Sequence, residues 1–214
     1  IDKRKYIMKT LTEHGNEIFK RTDEDKLGWY EDDFSQTVKF LYLIPELKNS
    51  KVFVSGVGTS GLIDILLESA SELVLNDLSS EAIEKTKNKY SDKMHHIQWL
   101  CQDISRPLTP ELNDIDVWVD RAVLHFLIDD SSIQQYFKNV NTVLKPGGYA
   151  LFAEFSKNGA TRCAGLDVRR YDVQDLWENL ASFESIVNEE YTFINPKGDL
   201  RPYIYCLFKR VKDK

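Results

Sequence analysis

The chain has 214 residues, 42 % of them hydrophobic, which is enough to bury a substantial core as one domain. Its 28 Lys and Arg against 34 Asp and Glu leave a net charge of -6, which argues against a broad phosphate-tracking surface for nucleic acid. Cys101, Cys163 and Cys206 are odd in number and contain no Cys-x-x-Cys pair, so neither a disulfide framework nor a zinc site is indicated and a reducing cytosol is expected.

No apolar run approaches the ~20 residues needed to span a bilayer, and residues 1–10 are basic without the apolar core of a signal peptide. A cytoplasmic protein with no membrane partner and no metal is the expectation. Residues 17–26 are charged and aperiodic and read as surface helix or loop, leading into Gly28-Trp29-Tyr30. A helix over 35–43 ends at Pro45. Residues 1–50 are therefore expected to form a helical cap or lid on a main domain at 51–214.

From Lys51 the pattern is regular. A strand over 51–55, a turn over 56–61 and an amphipathic helix over 62–69 are followed by a strand over 72–76 and a charged helix over 81–90. A third strand over 97–101 ends before Asp103, a fourth covers 116–119, and a helix covers 132–144. Lys145-Pro-Gly-Gly148 then delivers a fifth strand over 149–155. Strands and helices alternating at this length imply parallel pairing with right-handed crossovers, a doubly wound α/β sheet. After a loop over 156–171 and a helix over 173–180, two β-rich runs, 185–193 and 203–211, flank the loop 194–199 and should pair as an antiparallel hairpin.

Gly56-Val-Gly58-Thr-Ser-Gly61 lies between a strand and a helix, where missing side chains let a ligand approach the backbone and the helix N–H groups. The next strand leads into Asp77, 21 positions after Gly56, where a carboxylate can accept both ribose hydroxyls of an adenosine. Asp103 marks a third point on the same sheet edge, near an adenine amino group, or caps a turn. A nicotinamide dinucleotide fits less well. The only Tyr-x-x-x-Lys spacing in a plausible context, Tyr205 and Lys209, falls on the last strand, where residues four apart are ~13 Å from one another.

With these features in place, residues 51–211 resemble the class I S-adenosylmethionine-dependent methyltransferases. The resemblance rests on the glycine loop, Asp77, Gln102-Asp103-Ile104, Asp116, Pro146-Gly-Gly148 and the terminal β pair. It implies a Rossmann-like, mostly parallel seven-stranded sheet whose last strand is inserted antiparallel. S-adenosylmethionine would lie across the carboxyl ends of the first strands. Gly56 and Gly58 would line its methionine and ribose part, Asp77 would bind the ribose, Asp103 would face the adenine, and Leu78 and Ile104 would join these acids. The family's acidic residue two positions before the first glycine is here Val54. The chain is also similar to a bacterial methyltransferase-domain group related to the lysine methyltransferase branch, but Asp120-Arg121-Ala122 departs from that branch's acid followed by Lys-Gly.

Methyl transfer is an in-line displacement that needs proximity above all, and a base only where the acceptor must lose a proton. Asp120 and His125, after the fourth strand, are the candidates for catalysis. Asp120 would orient the acceptor or the cofactor amine, and His125 has an ordinary pKa near ~6.5 suited to proton transfer. The bland reading makes Asp120 a helix cap and His125 a half-buried side chain. Tyr30, Arg121, Arg169, Arg170 and Tyr171 are candidate substrate contacts, the paired arginines suiting an anionic acceptor. Trp29 would offer its face to the sulfonium. A small-molecule methyltransferase leads. Protein lysine N-methylation and, because of Val54, a non-enzymatic adenosine-ligand binding module are the alternatives.

Overall fold

Short apolar runs alternating with amphipathic stretches become a layered α/β structure in the computed structural model, which describes residues 3–211. From the amino end, α1 (Lys3–Arg21) and α2 (Ser35–Leu41) precede β1 (Lys51–Ser55), α3 (Leu62–Ser69), β2 (Glu72–Asp77), α4 (Ser80–Lys89) and β3 (Ile97–Cys101). Then come β4 (Ile115–Arg121), α5 (Asp130–Val143) and β5 (Leu144–Phe155). A small hairpin of β6 (Arg162–Cys163) and β7 (Leu166–Asp167), α6 (Val173–Trp177), β8 (Phe183–Ile194) and β9 (Leu200–Arg210) complete the chain.

The seven-stranded sheet has the order β3-β2-β1-β4-β5-β9-β8. The first five of these strands are parallel, and β9 runs antiparallel between β5 and β8. This is the doubly wound sheet with an inserted antiparallel strand that the sequence predicts. Side chains of β1 alternate between faces, as a period of two requires. Val52 and Val54 enter the layer of α2 and α3 with Phe40 and Leu66, whereas Phe53 enters the opposite layer and stacks on Trp118 at 4.2 Å. Trp118 donates to the Tyr136 hydroxyl of α5 at 2.9 Å, which satisfies its buried N–H. Both faces are covered, as expected for parallel strands.

Three local readings change. The Pro-Gly-Gly segment is a bulge within β5. Leu144 pairs with Ile115 and Tyr149 with Val117, so the residues between them loop out, with Gly147 at φ 86. At Gly148 a Cβ would lie 2.8 Å from the Asp116 carbonyl oxygen, so only glycine lets the two strands approach there. The stretch 156–171 is an ordered segment carrying the β6–β7 hairpin, whose turn residues Ala164 and Gly165 have φ 52 and φ 82, as a primed turn needs. Residues 17–21 are the last turn of a long α1, and a 3-10 turn at Glu24–Lys26 follows. No described helix is long and apolar enough to cross a membrane.

Candidate functional site

The carboxyl ends of β1, β2 and β4 meet at the glycine turn. Gly56 has φ 56 and Gly58 φ 53, the left-handed region that side chains disfavour. A Cβ on Gly56 would lie 2.1 Å from Val123 Cγ2, and one on Gly58 would lie 3.2 Å from the Phe19 ring. The amide of Gly58 donates to Asp77 Oδ2 at 2.8 Å and that of Ser79 to Oδ1 at 2.8 Å. Asp77 thereby ties the turn to the end of β2. Burial raises its pKa to about 6 against the opposing pull of the Ser79, Gly58 and Leu78 amides.

The next strand is fixed from behind. Asn76 Nδ2 donates to the carbonyls of Leu100 and Gln102, locking β2 to the end of β3. Asp103 accepts from the amide and the hydroxyl of Ser105, both at 2.9 Å, so it caps its own turn while facing the site. Asn139 of α5, 3 % exposed, donates to the carbonyls of Ile104 and Arg106, which holds Ile104 in place.

Helix α1 roofs this edge. Asn16 Oδ1 accepts from Ser79 Oγ at 2.7 Å, Lys85 Nζ donates to the Phe19 carbonyl, and His14 Nε2 donates to the Ala164 carbonyl in the β6–β7 turn at 2.9 Å. The cap expected at the amino end is therefore joined to the segment after β5. Between roof and sheet lies one cavity lined by Gly56, Gly58, Asp77, Leu78, Asp103, Ile104 and Trp29, which brings together seven of the eight predicted cofactor residues. Leu11, Ile18, Phe19, Phe126, Leu127 and Leu166 make its remaining wall largely apolar. Its titratable lining groups are His14, Asp77, Asp103 and Arg121. Among the described residues, no group of three or more His, Cys, Asp or Glu could hold a metal ion.

Asp120 and His125 lie elsewhere than expected. Both are 0 % exposed and neither lines the cavity. Asp120 accepts from the Val123 amide at 3.1 Å and from the Tyr136 hydroxyl. His125 stacks on Phe155 and sits with Nδ1 2.8 Å from Glu154 Oε2. Burial lowers the His125 pKa to about 3, the wrong direction for a base that must take up a proton near neutrality. The proposed proton transfer by His125 and the contact by Asp120 at the mouth are thus corrected: both groups belong to the core behind the turn.

Burial also raises Glu154 to about 8, and burial followed by the charge of Glu154 raises Asp120 well above the carboxylate range. Burial thus favours the neutral form of both carboxyls. An acid raised in the folded state makes stability fall as pH rises from its unfolded to its folded pKa, here from 4.5 to about 8. His125, lowered from 6.5 to about 3, opposes this only below pH 6.5. The melting temperature is accordingly expected to fall between about pH 6.5 and 8, and Glu154→Gln to flatten that decline in a thermal-melt series. An unchanged slope in the variant would show that Glu154 is not the group responsible.

Arg121 lines the cavity but is not a free substrate contact. Its Nε lies 2.9 Å from Glu31 Oε2, its Nη1 donates to the Trp29 carbonyl at 3.1 Å, and its guanidinium stacks over Phe193 and Tyr203. Tyr30 lines an adjoining space on the far side of the glycine turn. Arg169, Arg170 and Tyr171 line neither. Arg169 pairs with Asp130 at 3.0 Å, Arg170 donates to the Lys157 carbonyl, and Tyr171 is 1 % exposed in the core below. Neither arginine is thus brought to the cavity as the anion-site expectation requires. Missed at the sequence level were His14, Phe19, Glu31 and Val123, whose roles depend on how α1 and the β4 exit fold back and leave no local motif.

Residues 52–148 match the family model of the methyltransferase domain. The chain is 28 % identical over 112 residues to a ubiquinone biosynthesis O-methyltransferase of Coxiella burnetii, covering 52 % of this chain and 46 % of that protein. It spans between about a quarter and a half of the length of the curated relatives it matches. Among solved structures, a SAM-dependent methyltransferase from Anabaena variabilis superposes with a TM-score of 0.78 at 14 % identity, covering 95 % of both chains. The N-methyltransferase NodS from Bradyrhizobium japonicum, in complex with S-adenosyl-L-homocysteine, gives 0.68 at 18 % identity, covering 92 % of this chain and 98 % of that one. Residues 52–148 thus match a methyltransferase-domain model, and the chain shares the fold of these solved structures.

Proposed function

We propose that the chain transfers the methyl group of S-adenosylmethionine to a nucleophilic sulfur, nitrogen or oxygen atom of a small molecule. The observation that carries this reading is a cavity lined by two left-handed glycines and by Asp77, with α1 as its roof. The donor set fits the cofactor. Gly56 and Gly58 leave backbone exposed for close approach, Asp77 offers a carboxylate to ribose hydroxyls, and Asp103 with Ile104 and Leu78 flanks an adenine. Trp29 presents an aromatic ring to a cation. When bound, the cofactor supplies an electrophilic methyl group on a sulfonium.

The remaining work falls to this chain's own residues. The apolar wall and roof exclude water, and the fixed turn sets the angle of approach, so orientation is the main contribution. With His125 and Asp120 sealed in the core, the reading favours an acceptor that needs little help in losing a proton, such as a thiol or a neutral amine. A protein lysine, the finer suggestion of the glycine loop, is the competing acceptor. Incubation with methyl-labelled cofactor and a cell extract, followed by separation of small molecules from protein, decides. Label in the small-molecule fraction is expected, and label confined to protein bands would overturn the proposed acceptor class.

A further inference from the structure

Beside the cavity that holds Asp77 lies a second one, on the opposite side of the glycine turn, and Trp29, Gly56 and Arg121 line both. Its wall contains a buried carboxylate, a nearly buried guanidinium and a buried hydroxyl: Glu31, Arg121 and Ser55. Glu31 and Arg121 meet at 2.9 Å, but at an angle that leaves Glu31 Oε2 and Arg121 Nε without a hydrogen bond. Ser55 Oγ, on a residue 1 % exposed, has no partner either. Buried polar groups cost free energy unless they are hydrogen-bonded, so an ion pair whose angle misses a hydrogen bond and an unpartnered hydroxyl, on three residues that line one space, suit a polar ligand there. Glu24, the other charged residue of this wall, is exposed.

We propose that Glu31 and Arg121 clamp the amino-acid end of S-adenosylmethionine, Glu31 taking the α-ammonium group and Arg121, with Ser55, the α-carboxylate. The inference rests on the cofactor reading above. A neighbouring cation and anion on the protein complement a zwitterion, whose two charges are likewise adjacent, and a guanidinium suits a carboxylate in two-point geometry. Of β1, only Val54 and Ser55 line this space, so the strand offers no carboxylate to it. The N-terminal segment then serves as half of the binding site as well as its cover. The Arg121 contact to the Trp29 carbonyl fixes that half to β4.

The test compares two ligands that share the adenosine end. S-adenosylhomocysteine carries the amino-acid group and 5′-methylthioadenosine lacks it. By calorimetric titration, Glu31→Gln is expected to weaken S-adenosylhomocysteine about 10- to 100-fold and to leave methylthioadenosine within about twofold. A thermal melt, together with retained methylthioadenosine binding, shows that the variant is folded. Equal weakening of both ligands, or no weakening of either, would overturn the clamp and leave Glu31 a tether for the N-terminal segment. If the unaltered protein binds neither ligand, the cofactor reading fails and the clamp with it.

Discussion

Asp77→Ala is expected to weaken S-adenosylhomocysteine binding by ~100-fold or more, since two hydrogen bonds to one carboxylate are lost. The same change removes the acceptor for the buried amides of Gly58 and Ser79, so stability should fall by about 1–3 kcal/mol per unsatisfied group. Asp77→Asn separates the two effects. It keeps one acceptor oxygen for the turn but loses the charge, and should recover part of the stability while binding stays weak. In the unaltered protein, affinity should decline as pH falls through about 6, where Asp77 takes up its proton. Full-strength binding by Asp77→Ala in a titration would remove Asp77 from the site.

The second large effect is expected at Gly56. An alanine there must hold φ 56, which costs about 1–2 kcal/mol, and must accommodate a Cβ 2.1 Å from Val123 Cγ2. Overpacking of a closed site adds about 1–3 kcal/mol, so a loss of about 2–5 kcal/mol is expected in urea denaturation. Val123→Ala removes the opposing methyl, and the double variant should regain the packing share but not the backbone share. A double-mutant cycle reads that coupling directly. Additive losses would mean that Gly56 and Val123 do not touch as the structure has them.

Much of the fold was legible because the signals were local. The apolar run of β1, the glycine turn and the spacing to Asp77 each follow from burial, backbone freedom and strand length. The antiparallel pairing of β8 and β9 was anticipated from two β-rich runs joined by a loop, whereas the insertion of β9 beside β5 followed only from the family resemblance. What escaped the sequence depends on distant packing. Nothing near His125 in the sequence announces that Glu154 and Phe155 enclose it, and a histidine after a strand reads as accessible until β5 is laid beside it. Glu31 has no motif of its own and acquires a role only when Arg121 comes within 2.9 Å. The Pro-Gly-Gly segment reads as a turn from composition, yet it becomes a bulge because Leu144 and Tyr149 both pair with β4 on either side of it.

The central claim is that the cavity between α1 and the glycine turn takes the adenosine of a sulfonium cofactor and not that of a dinucleotide. Calorimetric titration of the unaltered protein with S-adenosylmethionine, S-adenosylhomocysteine and NAD tests it most directly. Saturable one-to-one binding of the first two, with none of NAD, is the predicted result. Binding of NAD without S-adenosylmethionine or S-adenosylhomocysteine would contradict it.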